Sequence, residues 1–130
     1  MAQSRTGEKG EKYQHDLQVR QQNNYAVDGD SIRLLRRHFN IVDDKDSVVK
    51  TYGVVVAEFQ QKFNAQSYRD RLRKEEHLES YVVYIASTRQ YCVVAQGYDD
   101  LSVAATFARN PEKYMKLKVL VPKAWVLVRI

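Results

Sequence analysis

The chain has 130 residues, 44% hydrophobic and 28% charged, which is enough for one packed domain and too few for two ordinary ones. Its formal charge of +5 suits an anionic polymer or surface without naming one. The single Cys92 excludes an internal disulfide and a cysteine-rich metal site, and no apolar run approaches the ~20 residues that cross a bilayer, so the chain reads as soluble, without direct membrane insertion.

Taken in order, residues 1–24 hold Gln, Lys, Glu and Gly with little to bury and read as a polar leader. "MAQSRTGEKGEK" has no apolar stretch that would serve as a signal peptide. In "DGDSIRLLRRHFNIVDD", Asp30 or Ser31 caps and Ile32, Leu35 and Phe39 recur at helical spacing, predicting a short amphipathic helix over about 31–39. Residues 1–47 are thus expected to form a polar N-terminal extension carrying a helix. They balance eight basic against eight acidic residues, whereas residues 48–130 hold thirteen against eight and carry the whole excess.

After Ser47 β-branched runs take over. "TYGVVVAEF", "SYVVYIAS", "QYCVVAQGY" and "AWVLVRI" read as four strands. Phe63, Ala65, Tyr68 and Leu72 set a long helix ending near His77, and a shorter helix capped by Asp99 or Asp100 runs through Val103, Ala104, Phe107 and Ala108. The order is βαββαβ, with the middle strands too close for anything but an antiparallel hairpin. Tyr52, Val54, Val55, Phe59, Ala65 and Tyr68 recur as Tyr91, Val93, Val94, Tyr98, Ala104 and Phe107 at a constant offset of 39 residues.

Two stacked βα units predict an α+β domain: a four-stranded antiparallel sheet with both helices on one face. Strand alternation sends Val54, Val56, Val93 and Ala95 toward the helices, and Val55, Ala57, Cys92, Val94 and Gln96 the other way. That second face is expected to hold a ligand, or to be covered by the N-terminal helix or a second copy.

From about Val48 to Ile130 the chain resembles the SPOR (sporulation-related repeat) domains of bacterial cell-division and cell-wall proteins. The marks are Tyr52, Val54, Val56 and Phe59 with Asn64-Ala65, their repetition in Tyr91, Val93 and Tyr98 with Ala104, and the closing Ala124-Trp125-Val126-Leu127. The resemblance implies a ferredoxin-like βαββαβ domain over 48–130. It also implies noncatalytic binding of peptidoglycan glycan strands, localisation to the periplasm or cell envelope at division sites, and no cofactor.

On the sheet face that the family uses as its groove, the expected glycan-binding residues are Val55, Glu58, Tyr84, Val94, Gln96 and Trp125, with Thr88, Arg89 and Gln90 at the hairpin rim. Aromatic rings supply stacking area and amides supply orientation for sugars. Two departures stand out. Val55 occupies a position that the family often gives to a polar residue, frequently Gln, and Ala57-Glu58 replace its Gly-Ser pair.

Other readings share this strand order. Catalysis is not expected: Glu58, Asp99 and Asp100 fall at strand ends and caps, and His15, His38 and His77 lack metal-ligand spacing, so no metal site is predicted. An RNA-recognition fold would need glycine and a second ring where Cys92-Val93-Val94 stand, and nucleic acid is not the expected partner. A protein-interaction module, docking a homodimer mate or a division-protein partner through the exposed sheet face, is the other reading kept open.

Overall fold

A computed structural model describes residues 23–42 and 46–130. The leader expected over residues 1–24 lies almost wholly outside them. Over the described residues the fold is α+β, with two helices and a seven-stranded mixed sheet. Its strands are β1 (Asn24–Val27), β2 (Asp30–Arg37), β3 (Asn40–Ile41), β4 (Tyr52–Phe59), β5 (Tyr81–Ile85), β6 (Gln90–Tyr98) and β7 (Trp125–Arg129). Helix α1 spans Lys62–Glu75 and α2 spans Leu101–Arg109. The strands lie in the order β1-β2-β7-β4-β6-β5-β3.

Every element expected after Ser47 is present. Strands β4, β5, β6 and β7 pair antiparallel in the spatial order β7-β4-β6-β5. Helix α2 starts at Asp100, whose carboxylate accepts hydrogen bonds from the Ser102 amide (2.8 Å) and hydroxyl (2.7 Å), which hold its pKa below the usual aspartate value. The two helix-start alanines of the repeat, Ala65 and Ala104, are both fully buried, so each helix lies close on the sheet.

The helix expected over 31–39 is instead strand. Asp28 and Gly29, with φ of 47° and 88°, form a two-residue turn that pairs Val27 with Asp30 and makes β1–β2 a hairpin. Along β2, Ile32 and Leu34 join the core beneath the helices, while Leu35 joins a second core on the other side. A segment buried on both sides places apolar residues next to one another, and that pattern satisfies a helical spacing as readily as a strand's.

This strand changes the shape of the sheet. Its first residues pair with β1, Leu34 to Arg37 run parallel to β7, and β3 then pairs antiparallel with β5 at the opposite margin. Only two residues separate Arg37 from Asn40. They reach about 11 Å, whereas five strand spacings in a flat sheet measure about 24 Å. The sheet therefore curls until β2 and β3, nearly one continuous strand, bridge its two margins. The expected open layer is rolled into a barrel-like tube with both helices outside.

Two cores follow from this closure. The outer one packs Val54, Val56, Val93, Leu72, Phe107 and their neighbours between sheet and helices. The inner one fills the tube with Val55, Tyr81, Val83, Ile85, Cys92, Val94, Trp125 and Leu127, closed by Leu35, Phe39, Ile41, Val48 and Val49. Room for the Tyr81 hydroxyl end comes from the paired glycines Gly53 and Gly97: a Cβ would stand 3.0 Å from that oxygen at Gly53 and 3.1 Å at Gly97. Burial pushes both the Tyr81 hydroxyl and the Cys92 thiol up to about 12.

Candidate functional site

Three regions compete for a ligand: the tube interior, the β5–β6 hairpin end, and a groove beside the start of β2. Eight of the nine residues expected to bind glycan divide among them, and Gln96 stands apart.

The interior takes Val55, Val94 and Trp125, which are 0%, 0% and 5% exposed. None is available to a polymer, because the face that holds them is the inside of the tube. Trp125 is also fully engaged: its indole N–H donates to a Glu58 carboxylate oxygen at 3.0 Å, and the Arg33 guanidinium lies 5.4 Å from its ring centre. The sequence marks Arg33 only as one of the cations beside the apolar residues of 31–39, not as a cover for Trp125. The two meet because β2 pairs beside β7, with Leu34 opposite Val126.

Alternation fails at two places, both for the same reason. The β4–β6 register slips between Gly53 and Val55 and again between Val55 and Ala57, so each strand carries an extra residue. Ala57 turns to the helix side, and Glu58 falls on the other side. Gln96 is drawn off the expected face: its side-chain carbonyl accepts the Glu79 amide at 3.0 Å just before β5.

The hairpin end gathers Tyr84, Thr88, Arg89 and Gln90. Tyr84 pairs with Tyr91 across the ladder, their ring centres 4.7 Å apart, and Ile85 pairs with Gln90. Alternation along β5 puts Tyr84 with Val82 on the helix side, opposite to the face expected for it. Both tyrosines are half-buried, whereas Thr88 and Arg89 are exposed. Arg89 has a φ of 56° in the four-residue turn, a left-handed conformation that costs a non-glycine residue.

The groove encloses about 890 Å³. One wall is the start of β2, from Asp30 to Arg33, and the other is the segment from the end of α2 to Lys123. Ala124, Trp125 and Glu58 complete its lining. Glu58 and Trp125 are the two expected residues that reach it.

Both walls are fixed. Arg109 at the end of α2 binds the Asp30 carboxylate at 2.7 Å and approaches Asp28 at 3.8 Å. On the far wall the Glu76 carboxylate accepts the Lys116 and Leu117 amides, each at 2.7 Å, and Tyr68 donates its hydroxyl proton to the Lys118 carbonyl at 2.6 Å. The Leu120 amide reaches the Val56 carbonyl at 2.8 Å. Burial pushes the Tyr68 hydroxyl up to about 12.

Among the described residues no group of three His, Cys, Asp or Glu side chains stands close enough to hold a metal ion, and no helix is long and apolar enough to cross a membrane. Compared with known proteins, the chain matches no family model, no curated protein and no solved structure.

Proposed function

We propose that this chain is a noncatalytic module that binds the glycan strands of peptidoglycan, built on a SPOR-like, ferredoxin-like βαββαβ unit that its N-terminal strand closes into a tube. One observation carries this reading: the duplicated sequence units occupy equivalent structural places. Tyr52 and Tyr91 lie in the paired strands β4 and β6, Val54 and Val93 face the helices, and Ala65 and Ala104 are buried at the two helix starts. The spatial order β7-β4-β6-β5 within the larger sheet supports the ferredoxin-like part of this reading.

Because the inner face is filled, the glycan contact in this reading moves to the hairpin end. There the Tyr84–Tyr91 pair offers ring surface to sugar C–H groups, Thr88 and Gln90 offer hydroxyl and amide, and Arg89 offers a cation to the lactyl carboxylate of muramic acid. Such a module serves to localise a protein in the cell envelope or periplasm.

The test is retention by isolated peptidoglycan sacculi, before and after amidase treatment. Wild type is expected to be retained, and the double variant Arg89→Gly, Gln90→Ala to be retained severalfold less. Its thermal midpoint should be unchanged or higher, since glycine removes the left-handed backbone cost. Failure of wild type to be retained would count against glycan binding, and equal retention of the variant against the hairpin surface.

A further inference from the structure

The groove beside β2 carries chemistry that the glycan reading does not use. Its lining holds five cationic side chains, Arg33, Arg109, Lys116, Lys118 and Lys123, against three carboxylates. One of those carboxylates, Asp30, is already taken by Arg109. Among the described residues Lys116, Lys118 and Lys123 have no carboxylate within ion-pair distance. The groove therefore presents a net positive, unneutralised surface.

From Lys116 to Val121 exposure alternates: Lys116, Lys118 and Leu120 point outward, and Leu117, Val119 and Val121 are half-buried. The successive Lys116 and Leu117 amides converge on one Glu76 carboxylate oxygen, so the chain bends between the two lysines and is held there. Ile32, Met115, Leu117, Val119 and Pro122 bring apolar surface to the lining between these charges.

We propose that this groove binds an acidic peptide segment of a partner protein that also carries apolar side chains. The carboxylates meet Lys116, Lys118 and Lys123, and the apolar side chains meet the intervening lining. A single-stranded nucleic acid fits less well, because its bases need open rings. The one aromatic residue in the lining, Trp125, is 5% exposed and covered by Arg33. Hydrogen bonds at Glu76, Tyr68 and Val56 hold the lysine wall in place, so little ordering accompanies binding. This inference does not depend on glycan binding.

Fluorescence anisotropy with the whole chain tests it, using a labelled eight-residue peptide that alternates glutamate and leucine. The expected result is saturable binding that weakens as salt rises. The double variant Lys116→Glu, Lys118→Glu should raise Kd by about tenfold or more, as like charges replace complementary ones. Both positions are exposed, so its thermal midpoint should match wild type. The same peptide with lysine in place of glutamate should not bind. No binding of the acidic peptide, an unchanged Kd in the double variant, or equal affinity for an eight-nucleotide thymidine strand would each overturn the proposal.

Discussion

Replacing Trp125 with alanine is expected to lower the free energy of unfolding by about 3–5 kcal/mol, the range for removing a large buried aromatic from a core. Trp125 packs in the tube with Val55 and Leu127, bonds Glu58 through its indole N–H, and lies under the Arg33 guanidinium. All three interactions go at once, and the Glu58 carboxylate loses its donor. In urea, a loss of this size moves the unfolding midpoint down by about 2 M for a slope of about 2 kcal/mol/M. Had the indole been a sugar platform on an open face, the variant would keep its stability and lose only ligand. Urea titration followed by far-ultraviolet circular dichroism separates these outcomes, and a midpoint within experimental error of wild type would contradict a structural role for Trp125.

The second large effect concerns Val55→Gln, a change toward the residue type that the SPOR pattern favours. On an open sheet face it would be harmless, within about 0.5 kcal/mol. Inside the tube Val55 is fully buried, opposite Val94 on one side and Trp125 on the other. A glutamine there has a longer side chain than the space allows and an amide with no partner. Overpacking costs about 1–3 kcal/mol, and an unsatisfied buried polar group about 1–3 kcal/mol more. The variant should therefore unfold roughly 2–6 kcal/mol more easily. A calorimetric midpoint equal to wild type would show that the position faces water.

Most of the domain after Ser47 was readable because its signals are local. The alternating runs in β4 to β7, the Asp100 cap and the helical spacing of Ala65, Tyr68 and Leu72 each lie within a few residues of one another. The 39-residue echo added a long-range constraint that periodicity alone lacks. Tube closure had no such local signature. It depends on β2 reaching β7 and β3 reaching β5, which are contacts between sequence regions more than 40 residues apart.

Two signals for it were nevertheless present. "VDGD" places Asp-Gly between Val27 and Asp30, a strong two-residue hairpin pattern that argued against a helix beginning at Asp30 or Ser31. The second was Val55 itself. An alkyl side chain where the family often has a polar one, together with Tyr81, Val83, Ile85 and Val94 on the same side, is the composition of an interior rather than of a solvated groove. The register slips around Val55 could not be read, because an extra residue leaves no mark in a valine-rich run. They displaced Ala57 and Gln96 from their expected face.

The central structural claim is that the second side of the sheet is an interior. Trp125 is the only tryptophan in the chain, so its fluorescence reports that interior without interference from another indole. Acrylamide and iodide quenching of the folded protein should be several times slower than for free indole and should reach the free rate only after unfolding in urea. Quenching of the folded protein at the free-indole rate would place Trp125 on an open surface and contradict the closed tube.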